Sequence, residues 1–217
     1  MSPIYVPGKV VLSRIQQYPA VLGEPWGGGY FAGYISHTAD GNPTHALIVA
    51  PVATGQASTL LSWKTTDTNT PDTNSLFDGF ANTAAMVTAG IVDHPAANFC
   101  TGLSIGGFND WYLPALLEHD VAYFNLKGTT TSNNTGGGIN AYSVPARASV
   151  FTSTYPAQTS VSIFAGAESF GSTQRWTSTQ TASNRANVFN YNNGQRLNAT
   201  SKTPASHFVR AFRRIAL

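Results

Sequence analysis

Ten carboxylic acids, five histidines and one cysteine are what this 217-residue chain offers for acid–base, nucleophilic or metal chemistry. A glycosidase needs two carboxylates opposed across a cleft. The acids nearest in sequence, Glu118 and Asp120, cannot face one way on a helix, because two residues rotate by about 200°. His37, His45, His94, His119 and His207 have no i, i+4 partner among themselves and no cysteine at metal-ligand spacing. They read as surface or hydrogen-bonded core histidines. Cys100 is alone, so it can form no disulfide within the chain, and it reads as a small buried hydrophobe. Calcium needs several oxygens converging on a loop, and Asp67 with Asp72 is sparse. The glycine clusters at Gly27 and Gly136 lack the lysine and helix of a phosphate loop and read as turns. These residue types assign no catalytic group, no metal ligand and no cofactor.

Recognition is the other chemistry open to the chain. Trp63 lies in a polar stretch, Leu60 to Leu76, too long and aperiodic to be a simple connection and therefore a candidate contact surface. Tyr191, Asn193 and Arg196 surround an Asn193-Gly194 turn signal. Aromatic rings beside polar groups suit sugars or protein partners, so Trp63, Tyr191, Asn193 and Arg196 are the ligand-binding candidates. The alternative for the last three is a set of ordinary solvent-facing strand residues.

Composition bounds the scaffold. An apolar share of 42% over 217 residues can bury one sizeable core, with or without a short arm. Charged residues make up only 10%, whereas Thr, Ser and Asn fill about sixty positions, a balance that suits a β-rich, loop-rich surface. A net charge of +2, with no basic run beyond Arg213-Arg214, argues against nucleic-acid binding. No apolar run approaches membrane-spanning length and no signal-peptide pattern opens the chain, so neither membrane insertion nor a cleavable leader is expected.

The positioning elements follow from pattern. Residues 1–25 are broken by Pro3, Pro7, Pro19 and Pro25 and read either as a strand that completes the fold or as an arm for docking or oligomerisation, leaving 26–217 as the domain. Tyr30 to Ser36 and Ala46 to Val52 form a hairpin whose second run is buried on both faces. Asp78 to Phe99 predicts a helix with Phe80, Ala84, Val87 and Ile91 on its apolar face and Asp78 or Asn82 as cap. Gly128 to Asn140 is low in complexity and reads as a mobile loop that buries nothing. An Asn193-Gly194 two-residue hairpin would set Tyr191 opposite Arg196, Phe189 opposite Asn198 and Asn190 opposite Leu197. Phe208 to Ile215 is a terminal strand, expected to sit centrally and bring the chain ends together.

The most distinctive stretch is Gly106 to Lys127. Two glycines permit a tight turn, Trp111 is a large apolar anchor, and Pro114 fits the first turn of a helix reaching about Asn125. Gly107, Asp110, Trp111, Leu113, Pro114 and Glu118 form a Gly-x-x-Asp-Trp-x-Leu-Pro-x-x-x-Glu run. It resembles the lectin-like domain at phage tail-fibre tips and at the C-terminus of bacterial collagen-like surface proteins. Trp176 to Arg196 and Phe208 to Arg214, with the latter's Val-Arg-x-x-Arg, are similar to that family's later strands, and GYFAGYI with HALIVAPVATG to its opening hairpin. Ala115 departs from the family's Thr or Ser and removes a capping side chain, His119 replaces a Leu, and Thr177 replaces a Ser.

The resemblance implies an α+β, C-type-lectin-like domain: a twisted antiparallel sheet with two helices and long loops. It gives Asp110, Trp111, Leu113, Pro114, Glu118, Trp176, Arg210 and Arg213 structural roles; as a carboxylate in a Trp-bearing elbow, Asp110 is expected to accept backbone N–H bonds or pair with Arg210 or Arg213, with ligand contact as the alternative. It further implies a virion protein made in a bacterial host cytoplasm, a homo-oligomer and most simply a trimer. Its partners would be other virion proteins and a host surface glycan or protein, bound without metal. A capsid decoration or head-fibre protein docked by its arm is the alternative, and a glycan-cleaving enzyme the third reading.

Overall fold

The molecule is organised about one strand whose alternate side chains enter two different cores. In the computed structural model, which describes residues 18–217, this strand is β3, His45–Val49. Ala46 and Ile48 point into a cluster with Trp63, Met86, Cys100, Trp111 and Trp176, while Leu47 and Val49 point into a second with Tyr112, Leu116, Tyr123, Phe189 and Phe212. A strand with a period of two and core on both sides must be apolar throughout, which is how this run reads.

Around β3 lies a curled antiparallel sheet in a mixed α+β architecture. β1 (Pro25–Trp26) pairs with β2 (Gly29–Ile35), β2 with β3, and β3 with β8 (Phe212–Ala216), while β4 (Ser143–Val144) pairs with the far end of β2. β5 (Gln174–Ala182), β6 (Arg185–Asn190) and β7 (Gln195–Ser201) form a second sheet. The helices are α1 (Val52–Gly55), α2 (Gly79–Thr88), α3 (Pro95–Thr101) and α4 (Leu116–Leu126), and a 3-10 turn spans Ile91–Asp93.

Several expectations change here. β1 straddles the predicted boundary at residue 25, and Gly23 N–H donates to Phe31 O (2.8 Å), so residues 18–25 belong to the body. The rest of the predicted arm lies outside the described residues. The helix expected over 78–99 is two helices, because the chain turns at Gly90 (φ +108°) and Pro95 opens α3. Asp78 does cap α2, accepting from Ala81 N–H at 2.8 Å. Its expected core face is reversed: Phe80, Ala84 and Val87 face solvent, while Asn82, Thr83 and Met86 are buried. Asn82 makes inward burial possible by bonding Ser75 on both its amide atoms and Ser178 Oγ, so the polar side is satisfied inside.

β8 runs beside β3, and on its other edge Phe212 exchanges both main-chain hydrogen bonds with Tyr112 (2.8 and 3.0 Å). Arg213 and Ile215 lie against Gly27 at the start of the body. The β6–β7 hairpin keeps its predicted faces but not its predicted register. Phe189 pairs with Arg196, Val188 with Leu197 and Asn190 with Gln195, across a four-residue turn, Tyr191 to Gly194. Gly194 N–H closes that turn on Asn190 O at 2.8 Å with φ +75°, a conformation that needs glycine. A slip of two residues preserves which side chains share a face. Burial of the Tyr191 ring, stacked at 3.9 Å on Phe170, selects the longer turn.

Candidate ligand-binding surface

The elbow leading into α4 is built from buried groups that satisfy one another. Trp111 and Trp176 are core residues, their indole N–H groups donating to Phe108 O (3.1 Å) and Leu61 O (2.7 Å). Leu113 and Pro114 are buried, and Pro114 O accepts from Ser178 N–H at 2.8 Å. Ala115 caps nothing with its side chain. Glu118 compensates by reaching back: its carboxylate accepts from Ala115 N–H (2.7 Å), Gly79 N–H (3.2 Å) and Tyr112 O–H (2.7 Å). Burial nevertheless pushes the Glu118 carboxyl up to about 8, against the pull of those donors toward the anion.

The two arginines of the closing strand separate in function. Arg213 pairs with Asp110 and its guanidinium lies 3.8 Å from the Phe108 ring centre. Arg210 is wholly buried and instead meets Glu168, by Nη2 to the carboxylate (2.5 Å) and Nη1 to the carbonyl (2.7 Å), with Nε on Ala50 O.

Of the four ligand candidates, Trp63 and Tyr191 are overturned by burial. Trp63 is 0% exposed, its indole N–H on Thr177 O at 2.8 Å, because the polar stretch around it folds back against β5. Tyr191 is 1% exposed, and its hydroxyl meets His119 Nδ1 at 2.9 Å. With His119 Nε2–H donating to Trp176 O (3.2 Å), the imidazole is held neutral, and burial lowers its pKa to about 3. Asn193 and Arg196 are half-buried and hold other loops. Asn193 O accepts from Asn134 N–H (2.7 Å), and Arg196 Nη2 bridges Asp120 (2.7 Å) and Ile139 O (2.8 Å).

These contacts fasten the stretch 128–140, which is anchored and not loose. Asp120, 0% exposed, pairs with both Arg147 and Arg196 and accepts from Asn140 Nδ2 (3.1 Å). Asn133, also buried, accepts from Tyr123 O–H and donates to Pro156 O at 2.9 Å. Sequence reading missed both centres, since a lone Asp on a helix and one Asn in a low-complexity run carry no local signal.

Lysine ammonium groups act here as internal cations. Lys127 Nζ sits among Thr131 O (2.6 Å), Asn133 Oδ1 (2.7 Å) and Pro156 O (3.3 Å), joining the 128–140 and 150–158 segments. Lys64 Nζ holds Asn69 O and Thr70 Oγ1 at 3.0 Å, and Lys202 Nζ holds Ser183 O at 2.8 Å and Gln180 Oε1. Burial lowers all three pKa values, Lys202 to about 8. Three donors on one ammonium can tie several carbonyls as a coordinated ion would.

The resulting surface is a face of bolted loops, 128–140 and 147–158 beside the β6–β7 turn, bearing two open concavities of about 390 and 270 Å³. A third, about 480 Å³, lies between the outward side of α2 and the elbow and includes Asp110. Two more flank Trp26, and none of the five is lined by two carboxylates. Among the described residues no three His, Cys, Asp or Glu converge on a metal-sized point, and no helix is long and apolar enough to cross a membrane. No protein-family model matches the chain, and no curated protein matches it.

Proposed function

We propose that this chain is a phage virion protein whose C-type-lectin-like body displays the loop face to a host-cell glycan or surface receptor, acting by binding and not by catalysis. One observation carries the reading: the elbow and the closing strand, the two stretches of strongest resemblance, are parts of one body, spliced by the Tyr112–Phe212 main-chain pair and the Asp110–Arg213 ion pair. A scaffold that ties its loops down through buried ion pairs and ammonium–carbonyl contacts and leaves shallow concavities on them is suited to display. Weak single sites then gain affinity through several copies, most simply a trimer.

The test is attachment of the multivalent protein to host bacteria and to their purified envelope glycans. Saturable retention on cells, competed by the soluble glycan or abolished by removing a surface protein, is the expected result. A protein that binds neither at high valency contradicts the reading.

The outward apolar side of α2, with Phe80 42% and Val87 49% exposed, favours a second reading as a capsid decoration or head-fibre protein contacting other virion proteins. Deleting residues 1–17, which leaves the body from residue 18 onward, separates the two. Loss of particle association with retained cell binding supports an arm-docked adhesin, and absence of cell binding in both forms supports decoration.

A further inference from the structure

We propose that the loop face carries a saccharide subsite centred on Tyr155, with a pyranose ring stacked on the exposed phenol and its hydroxyls bonded by the adjoining rim. The proposal rests on the lectin-like reading and adds a location and a ligand class that the four sequence candidates did not supply.

Tyr155 is 60% exposed, the most open aromatic side chain of the described residues, whereas Trp63 and Tyr191 are buried. A solvent-facing ring on a loose loop would mean little, but this one is fixed. Its N–H donates to Thr152 Oγ1 (2.9 Å) and its carbonyl accepts from Thr152 N–H (3.0 Å). Its ring stands edge-on to Phe124 at 5.4 Å. The next residue, Pro156, is buried, and its carbonyl is held by Lys127 Nζ and Asn133 Nδ2. Such a platform loses little conformational entropy on binding.

The surroundings specify the ligand. On one side is the concavity of about 390 Å³, where Tyr155 and Phe124 supply aromatic surface and Arg147, Ser149 and Thr152 polar groups. On the other is that of about 270 Å³, lined by Thr130, Thr131, Ser132, Ser153, Thr154 and Gln158. The 152–155 turn separates them. A pyranose has one face of C–H groups and a rim of hydroxyls, which matches an aromatic plane flanked by hydroxyl and amide side chains. Arg147 adds direction. Its Nε donates to Gly138 O (3.0 Å) and its Nη2 to Asp120, while Nη1 has no protein partner among the described residues. No carboxylate lines either concavity, so hydroxyl or acidic substituents meet no opposing charge.

The test measures binding of the multivalent protein to an array of bacterial O-antigen and capsular polysaccharides, for the wild type, Tyr155→Phe, Tyr155→Ala and Ser153→Glu. Thermal melts first establish that each variant is folded. Retention of a glycan by the wild type and Tyr155→Phe, with weakening of roughly tenfold or more in Tyr155→Ala, is the expected pattern for stacking on the ring. Ser153→Glu, an exposed change on the rim that leaves the ring in place, is expected to weaken the same glycan. Wild-type-like binding by both Tyr155→Ala and Ser153→Glu overturns this subsite while leaving the lectin-like reading intact. Absence of any glycan binding by the wild type overturns the subsite together with glycan recognition.

Discussion

Arg213 and Asp110, 103 residues apart in the chain, are joined side chain to side chain, and the same guanidinium covers the Phe108 ring. The pair fastens the last strand to the elbow before α4. The Asp110 side chain is 42% exposed, so solvent screens part of the attraction and the pair is worth roughly 1 kcal/mol or less. Asp110→Ala is therefore expected to lower the thermal midpoint by about 2–4 °C for a chain of this size. An unchanged midpoint would remove the structural role.

Asp120 presents a different balance. Its carboxylate is fully buried between Arg147 and Arg196, and its removal leaves two largely buried guanidinium groups without a counter-charge. Asp120→Ala should cost about 3–5 kcal/mol in urea denaturation. Raising the salt concentration should change the wild-type value little, because a buried pair is poorly screened.

Glu118 and His119, adjacent on α4, pull the pH dependence of stability in opposite directions. Between about 4.5 and 8 the folded protein keeps a proton on Glu118 that the unfolded chain has lost, so this contribution is full on the acid side and declines as pH rises. His119 is depressed to about 3 and His45 to about 4, in both cases chiefly by burial, so below about 6.5 the unfolded chain takes up protons that the folded one refuses and stability falls with acidification. From these three groups maximum stability is expected near pH 6.5, each limb sloping by at most about 1.4 kcal/mol per pH unit for each proton. Glu118→Gln should flatten the alkaline limb and steepen the acid limb between about 4.5 and 6.5, read from denaturation curves collected across pH.

Lys127 ties two loops rather than the core. Lys127→Met should cost about 1.5–3 kcal/mol, the usual worth of hydrogen bonds to a charged group. Amide hydrogen exchange distinguishes its effect. Exchange should accelerate over 128–140 and 150–158 and stay unchanged in β3, since local opening involves only the segments that the ammonium holds.

Local pattern alone determined the parts that depend on neighbours in sequence. The β2–β3 hairpin, the burial of β3 on both faces, α4 after Pro114, the Asp78 cap and the burial of Trp111, Trp176 and Cys100 follow from period, turn chemistry and side-chain size. Tertiary packing decided what depends on partners far along the chain. Asn82 and Thr83 turn inward on α2 because Ser75, Ser178 and Leu113 meet them there, and Phe80 and Val87 are thereby left in solvent. Tyr191 is buried because Phe170 and His119 wait for its ring and hydroxyl, and Tyr155 is exposed because Lys127 and Asn133 hold the loop beneath it. Hydrophobicity and spacing say which side chains can be buried, but a polar group goes inside only where a distant donor or acceptor repays its lost water, and only the folded chain supplies that partner.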